Sequence, residues 1–326
     1  MSAALAPTET ARCLPYQALA DEIARLLADP SVVVPPRLVQ TLSGGGSLFV
    51  MPALDARVAI TKLITFTPAN VGSVRPTIQG DVTVFDIATG ERRLILDGPT
   101  VTARRTAAVS LLAAQRLAPN PAGPLLIVGA GAQGRAHLEA FAQGLGVREV
   151  RIASRNPASA QPLVDHARSL GLTASVVADV DAQLPHCPLV VTCTPASAVV
   201  LRGWPRSDAF VAAVGAFTPA MVELDADLCR RFAAEGTVIV DTADAGHEAG
   251  DLLQAGLDVS RFADLRAVVL GHTTRRTAPE GNPTEPATMA RVGGAGPVLF
   301  KSCGWGGWDL AAARTALRSL EASGPN

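Results

Sequence analysis

The sequence predicts an α/β protein in which a doubly wound parallel sheet follows a strand-rich N-terminal part. Three observations lead to this prediction. Short apolar strands alternate with helices from residue 125 onward, a glycine-rich turn follows the first of these strands, and the breaker run at 119–124 separates them from the N-terminal part. We therefore expect two regions of different architecture.

The N-terminal part is predicted to combine helices with a mostly antiparallel sheet. Leu19, Ile23, Leu26 and Leu27 form a helical stripe. A loop containing Thr89 and Gly90 joins two apolar runs, which is typical of a hairpin. The predicted strands cover 37–42, 47–51, 58–66, 81–86 and 92–96, and a second helix covers 100–117.

The second part has the pattern of a parallel sheet. Continuous apolar strands separated by helices are typical of a sheet that is covered on both faces. The predicted strands cover 125–129, 149–154, 174–178, 189–194, 209–215, 237–242 and 267–271. The last apolar stretch, 298–320, is predicted to be a final helix with a glycine-rich, irregular start.

Composition excludes several classes of protein. The 326 residues hold 28 Lys and Arg against 29 Asp and Glu, and 48% are apolar, which predicts about two globular domains. No apolar run approaches about 18 residues and no leader pattern is present, so we expect a soluble cytoplasmic protein without a membrane partner. The near-neutral charge argues against nucleic acid as a partner. Scattered cysteines and isolated histidines argue against disulfides and a metal site.

A GxGxxG motif spans Gly129 to Gly134, directly after an apolar strand and at the start of a helix. This context predicts a dinucleotide site, because the glycines allow a tight turn and a close approach to a pyrophosphate at the helix N-terminus. The residues expected to contact the cofactor here are Gly129, Gly131, Ala132 and Gln133.

The end of the next strand indicates which cofactor is preferred. Ser154 and Arg155 lie about twenty residues past the motif, where an NAD site usually has Asp or Glu. A hydroxyl and a guanidinium suit a 2′-phosphate, so we expect NADPH to be preferred and NADH to be possible. Arg155 as an ordinary exposed arginine is the alternative.

Small residues end the fourth and fifth strands. The carboxyl ends of the strands line the ligand crevice of a doubly wound sheet. Thr192, Thr194, Gly215 and Ala216 are therefore candidates to contact the cofactor, or serve packing alone. Lysine is rare, since 26 of the 28 basic residues are arginine and only Lys62 and Lys301 remain.

Taken together, the motifs resemble the ornithine cyclodeaminase/mu-crystallin family over nearly the whole chain. The resemblance rests on ITKLIT around Lys62, RTAA from Arg105, GAGAQGRAHLEA, SR at 154–155, VTCTPA, EAGDL and LFKSCGWGGWDLAA. It implies a Rossmann domain, residues 119–297, inserted into a discontinuous α+β substrate-binding and dimerisation domain, residues 1–118 plus 298–326. A homodimer is implied with it.

Carried over from the family, Arg37, Lys62 and Arg105 match cations that bind a substrate carboxylate, with Lys62 and Arg105 as the catalytic candidates. Three cations would fix the carboxylate and offset its desolvation. Lys62 lies on an apolar strand, where we expect the substrate carboxylate to be its partner. Lys301 matches either a cofactor contact or a helix-docking position.

One departure from the family favours a particular branch. The cyclodeaminases have a catalytic aspartate where this chain has Phe217. Without that carboxylate, deamination and ring closure lose their acid/base, whereas a cyclic iminium can accept hydride directly. We therefore expect an oxidoreductase that reduces Δ1-pyrroline-2-carboxylate to L-proline and Δ1-piperideine-2-carboxylate to L-pipecolate. The alternatives are another family oxidoreductase, such as an alanine dehydrogenase, and a non-catalytic, NADPH-dependent binder of a small ligand.

Overall fold

A computed structural model describes residues 3–70, 73–271, 274–275, 289–290 and 296–322. The chain divides into two compact units. Unit 1 comprises residues 1–108 and 305–326, and unit 2 comprises residues 109–304. Each unit is described by itself below.

The elements up to residue 117 form most of unit 1. Its strands are β1 (Ala3–Ala4), β2 (Leu38–Thr41), β3 (Ser47–Leu54), β4 (Val58–Phe66), β5 (Ile78–Asp86) and β6 (Arg92–Asp97). Its helices are α1 (Pro7–Arg12), α2 (Tyr16–Ala28) and α3 (Gly98–Leu117), with a 3-10 turn at Pro68–Asn70. The boundary between the units falls inside α3.

Unit 2 alternates strands and helices. Its first half contains β7 (Leu125–Val128), α4 (Ala132–Leu145), β8 (Glu149–Ala153), α5 (Gln161–Ser169), β9 (Thr173–Val176), β10 (Leu189–Thr192), β11 (Ser197–Leu201) and β12 (Phe210–Ala213). Its second half contains β13 (Val222–Leu224), α6 (Ala226–Glu235), β14 (Thr237–Val240), α7 (Ala245–Glu248), α8 (Gly250–Gln254), β15 (Ala263–Asp264), α9 (Leu265–Val269), β16 (Thr274–Arg275), β17 (Met289–Ala290) and β18 (Val298–Lys301). Its 3-10 turns are Pro157–Ala160, Asp181–Gln183 and Val259–Arg261.

The chain then returns to unit 1 with its last helix, α10 (Gly306–Ala322). The sheet of unit 1 has the order β1-β6-β5-β4-β3-β2, and all pairs except β1–β6 are antiparallel, as the sequence predicts. Residues 60, 62 and 64 of β4 are buried, which is the alternation of a strand with one covered face. Helix α10 packs against α2, β3 and β4 and covers that face.

The main sheet of unit 2 is parallel throughout, with the order β15-β14-β18-β12-β10-β7-β8-β9. All four residues of β7, β10, β12 and β18 are buried, because helices cover both faces of such a sheet. The strand order reverses between β7 and β10, so the carboxyl ends of these two strands form the switch point where ligands bind in doubly wound sheets. The predicted Rossmann fold is confirmed.

Two of the predicted elements are wrong. Residues 298–301 form β18, which lies between β12 and β14 in the parallel sheet, whereas the sequence predicts a final helix in the substrate domain for them. The three apolar residues 298–300 fit a buried strand or a buried helix equally well, and only the tertiary contacts decide between them. Residues 265–269 form helix α9 rather than a strand, and the Asp264 side chain caps it by accepting from the Ala267 N–H.

Among the described residues, none of the helices is long and apolar enough to cross a membrane.

Candidate functional site

A buried cluster of charges lies in unit 1. Lys62 is on the covered face of β4, where it pairs with Met51 of β3 and Val82 of β5, and only 1% of it is exposed. Helix α10 brings Asp309, which has no exposed surface, against the ammonium. The Lys62 Nζ lies 3.1 Å from Asp309 Oδ1 and 2.9 Å from Asp309 Oδ2. Lys62 therefore has a carboxylate partner within the chain.

Two arginines complete the cluster. Arg105, on α3, is 7% exposed, and its Nε lies 3.5 Å from Asp309 Oδ1. Arg37 directly precedes β2, and its guanidinium carbon is 6.0 Å from the centre of the Phe49 ring. The positive charge of Arg37 lowers the pKa of Lys62. The structure thus brings together the three cations that the resemblance implied.

Burial sets the protonation of Lys62. It is the main cause that lowers the pKa of this amine from 10.5 to about 8, and the charges of Arg105 and Arg37 lower it further. Asp309 opposes both effects because its carboxylate favours the ammonium. Lys62 is therefore mostly protonated at neutral pH and can lose its proton within a mildly alkaline range.

The partner of Lys62 is a correction to the sequence analysis. The apolar strand suggested that the substrate carboxylate would neutralise Lys62, whereas Asp309 does so. Sequence reasoning missed Asp309, although it is the single charged residue within the apolar stretch 303–313, a signal that could have marked it. Asp309 still faces two cations, Lys62 and Arg105, so one carboxylate does not neutralise both and the remaining positive charge attracts an anion.

In unit 2, the glycine-rich turn has the geometry of a dinucleotide site. Gly129 has a φ of +120°, and a Cβ there would lie 2.7 Å from the Cys193 carbonyl oxygen, so only glycine fits between β7 and β10. Gly131 is the N-cap of α4 and faces open space. The helix N-terminus at Ala132 and Gln133 is therefore accessible, and the turn fits a bound pyrophosphate.

Ser154 and Arg155 directly follow β8, the strand next to β7. The Ser154 and Ser159 hydroxyl oxygens are 2.7 Å apart. Arg155 is exposed and has no ion pair to any of the described residues, so its guanidinium is available to a phosphate. Both residues directly follow Ala153, whose carbonyl accepts from the Gly129 N–H at 2.9 Å.

The small residues at the ends of β10 and β12 converge on one buried carboxylate, Glu223 of β13. Its Oε1 accepts from the Thr194 N–H at 2.6 Å and from the Thr194 hydroxyl at 2.8 Å. Its Oε2 accepts from the Gly215 N–H at 2.7 Å and from the Thr192 hydroxyl at 3.0 Å. Thr194 and Gly215 are half-buried, whereas Thr192 and Ala216 have no exposed surface. Only the first two of these four have surface for a direct cofactor contact.

Lys301 does not lie where a cofactor could touch it. Its side chain has no exposed surface, and its Nζ lies 2.9 Å from Asp251 Oδ2 and donates to the Ala216 carbonyl at 2.6 Å. Burial disfavours its charge, but Asp251, Cys303 and Glu223 outweigh burial and raise the pKa of Lys301. Lys301 therefore has a structural role rather than the predicted contact with the cofactor, because its strand, β18, lies in the middle of the parallel sheet.

Phe217 is half-buried and packs against the apolar core of unit 2. Sequence reasoning also missed Glu223 and Asp251. Both have a sequence signal, since each is an acidic residue beside apolar ones, Glu223 in MVEL and Asp251 in EAGDL. Their role needs the tertiary contacts.

Fold and site together define a two-unit α/β protein with a Rossmann-type sheet and a separate cluster of cations. The chain belongs to the ornithine cyclodeaminase/mu-crystallin family, whose sequence model matches residues 14–281.

Several relatives are similar over almost their full length. The Δ1-pyrroline-2-carboxylate reductase 1 of Burkholderia multivorans is 38% identical over 96% of this chain and 94% of its own. The Δ1-pyrroline-2-carboxylate/Δ1-piperideine-2-carboxylate reductase of Azospirillum brasilense is 39% identical, with the same shares covered. The solved structure of Thermococcus litoralis Δ1-pyrroline-2-carboxylate reductase, in complex with NADH and L-proline, superposes with a TM-score of 0.85 over 98% of both chains at 21% identity. This likeness shows the fold.

Proposed function

We propose that the chain is a nicotinamide-dependent reductase of cyclic ketimines, forming L-proline from Δ1-pyrroline-2-carboxylate and L-pipecolate from Δ1-piperideine-2-carboxylate. The observation that carries the proposal is the buried cluster of Lys62, Arg105 and Asp309, in a chain 38–39% identical to two reductases named for these substrates. Phe217 supports it, because a lyase would need an acid/base at that position.

The cations bind the carboxylate of the substrate. Its negative charge offsets the positive charge that Asp309 leaves on Lys62 and Arg105, and a guanidinium can make paired hydrogen bonds to it. Arg37 is half-buried and Arg105 is 7% exposed, whereas Lys62 is 1% exposed and contributes its charge and a proton at Nζ that it can exchange near pH 8. Asp309 holds Lys62 and Arg105 in place.

The reaction needs little acid/base chemistry. When the imine nitrogen carries a proton, the C=N carbon accepts hydride, the π electrons become the nitrogen lone pair, and a secondary amine forms. The bound nicotinamide cofactor supplies the hydride. The chain's own groups then bind and orient the substrate, and keep a positive field around its carboxylate.

We propose NADPH as the preferred cofactor, because an exposed Arg155 and the Ser154 hydroxyl end β8 and no carboxylate stands there. Arg155→Ala is expected to raise the KM for NADPH roughly tenfold, as for a lost charge-assisted bond, and to leave the KM for NADH nearly unchanged. Initial-rate kinetics with both cofactors measure this. Arg12→Ala, at an exposed arginine of unit 1, is the control. An unchanged cofactor preference in Arg155→Ala would refute the assignment.

We also propose a cytoplasmic homodimer. The side chains of Leu38, Val50 and Leu63 are cross-strand neighbours on one face of the unit 1 sheet, because Leu38 pairs with Val50 and Val50 with Leu63. Leu38 is 55% exposed and Leu63 is 50% exposed. An apolar strip of this kind is typical of a protein interface.

The function is tested by measuring NADPH and NADH oxidation with pyrroline-2-carboxylate, piperideine-2-carboxylate and pyruvate plus ammonia side by side. We expect turnover of the cyclic ketimines and at most slow turnover of pyruvate. Incubation with L-ornithine and NAD should release no ammonia. Faster reduction of pyruvate would favour an alanine dehydrogenase, and binding without turnover would favour a ligand-binding protein.

A further inference from the structure

Glu223 joins the ends of two neighbouring strands. Its side chain has no exposed surface and accepts four hydrogen bonds, from Thr192 at the end of β10, from Thr194 just after it and from Gly215 after β12. A Cβ at Gly215 would overlap the Glu223 carboxylate, so only glycine allows this approach. One carboxyl group therefore sets the spacing of these two strand ends.

The four donors require a carboxylate. Two of them are the backbone N–H groups of Thr194 and Gly215, which can only donate, and they point at different oxygens of Glu223. A glutamine offers one oxygen and one NH₂ group, so in either orientation the NH₂ group faces a backbone N–H. The change from oxygen to NH₂ thus breaks one bond and adds a repulsive contact, although the side-chain volume stays the same.

Glu223 is itself held rigidly. Asp251 Oδ1 accepts from the Glu223 N–H at 2.6 Å and from the Leu224 N–H at 2.9 Å, and Asp251 Oδ2 lies 2.9 Å from Lys301 Nζ. Burial raises the pKa of Glu223, and the Lys301 charge and the Thr194 hydrogen bonds oppose that rise. These contacts connect β13, α8 and β18 to the carboxyl ends of β10 and β12.

The loop after Thr194 depends on this network. The Thr194 hydroxyl, which donates to Glu223, accepts from the Ala196 N–H at 3.1 Å. Ala196 has a φ of +54°, a left-handed conformation that is strained for a residue with a Cβ. Its carbonyl also accepts from the Val222 N–H at 3.0 Å. The strained loop is thus tied to Glu223 at one end and to β13 at the other.

We propose that Glu223 is a positioning residue for the nicotinamide half of the cofactor. The ends of β10 and β12 lie on the side of the switch point away from β8, where the second mononucleotide half of a Rossmann site binds. Glu223 holds Thr194 and Gly215, the two half-exposed residues of that edge, in the geometry that the nicotinamide ribose requires. This inference rests on the proposed function, which supplies the cofactor.

The test compares the whole cofactor with its adenine half. Dissociation constants are measured by calorimetry for the wild type and Glu223→Gln, using whichever of NADPH and NADH the wild type binds more tightly and the matching fragment, 2′,5′-ADP or 5′-AMP. The fragment reaches only the glycine-rich turn and the end of β8. We expect Glu223→Gln to weaken dinucleotide binding tenfold or more and fragment binding less than twofold.

Two further variants keep the test decisive if Glu223→Gln fails to fold. Thr192→Val removes one of the four bonds at constant volume and should weaken dinucleotide binding by a smaller factor, while Thr192→Ser keeps the hydroxyl and should restore it. Glu22→Gln, which removes a buried carboxylate of unit 1, is the control for a general loss of stability and should change neither constant.

Each outcome has one meaning. Equal weakening of dinucleotide and fragment would make Glu223 a structural residue and overturn the proposal, as would an unchanged dinucleotide constant in both Glu223→Gln and Thr192→Val. A wild type that binds neither dinucleotide would instead contradict the proposed cofactor, and the inference would fall with it.

Discussion

Lys62 and Asp309 show how a buried charge is tolerated in unit 1. Each is almost fully buried, and each would be costly without the other, because an unpaired charge in the protein interior destabilises the fold by several kcal/mol. Arg105 and Arg37 add positive charge that Asp309 cannot neutralise alone. Asp309 therefore compensates enough of the buried positive charge for the protein to fold, and the positive charge that remains attracts a carboxylate.

We predict that Lys62→Met loses stability as well as catalysis. Removing the ammonium leaves Asp309 with only the 3.5 Å contact to Arg105, so the melting temperature should fall. The kcat/KM for pyrroline-2-carboxylate should fall roughly 100-fold, because the substrate carboxylate loses the attraction of the Lys62 charge, about 3 kcal/mol. Thermal unfolding and initial rates measure the two effects.

A double variant separates these two effects. Lys62→Met/Asp309→Asn replaces the ion pair with neutral groups and should recover much of the stability but none of the catalysis. Lys62→Arg should also be slow, since a third planar group crowds a cluster that already holds two. Wild-type turnover in Lys62→Met at low substrate concentration would show that Lys62 acts only in the structure.

The pH dependence of activity should follow the protonation of Lys62. Because burial lowers the pKa of Lys62 to about 8, and because the charged form attracts the substrate carboxylate, kcat/KM should fall as the pH rises through about 8. Asp309→Asn removes the attraction that favours the ammonium, so the same decline should move to lower pH.

Asp55→Asn is the matched control for this shift. Asp55 is another nearly buried carboxylate of unit 1, and it pairs with Arg314 rather than with Lys62. It should leave the alkaline limb of the pH profile in place. An identical limb in the wild type and Asp309→Asn would mean that Lys62 does not control the activity.

At the scale of the element, helix α4 begins at the glycine-rich turn and is anchored by a buried histidine. His137 has no exposed surface, and its Nδ1 lies 2.8 Å from the Gln133 carbonyl oxygen and its Nε2 3.0 Å from the Ser110 hydroxyl. Burial lowers the pKa of His137 from 6.5 to about 4. The ring is therefore neutral in the folded protein and links the first turn of α4 to α3.

Because of His137, we expect the free energy of unfolding to decrease in acid. Between pH 6.5 and 4 the unfolded chain binds a proton at His137 that the folded chain does not, so the free energy of unfolding should fall as the pH is lowered through that range. The loss amounts to at most about 3 kcal/mol. Urea unfolding at pH 7.5 and 5 measures it, and His137→Gln should show a weaker pH dependence. Equal slopes in both proteins would contradict the assignment.

For the whole molecule, the exposed apolar strip of unit 1 predicts the assembly state. The wild type should sediment as a dimer at micromolar concentration, because burying Leu38, Val50 and Leu63 removes apolar surface from water. Leu38→Asp/Leu63→Asp places two charges in that strip and should give monomers that remain folded. Leu170→Asp, at an exposed apolar residue of unit 2, is the control. A monomeric wild type would refute the proposed dimer.

Much of the architecture is already present in local sequence patterns. The alternation of β4, the four-residue apolar strands and the GxGxxG turn are short-range features, so they predict the antiparallel sheet, the parallel sheet and the phosphate-binding turn without any tertiary information. The family motifs likewise placed Arg37, Lys62 and Arg105 in one site, and the structure brings these cations together.

Only the tertiary structure decided which groups pair in the interior. Asp309 is 247 positions from Lys62, and Asp251, Glu223 and Lys301 come from three separate elements. The segment 298–301 likewise forms a central strand because of contacts with β12 and β14, which are remote in sequence. The sequence by itself determined the elements and the candidate cations. Long-range packing determined their partners, because a buried charge is neutralised by whatever the fold places beside it, at any separation along the chain.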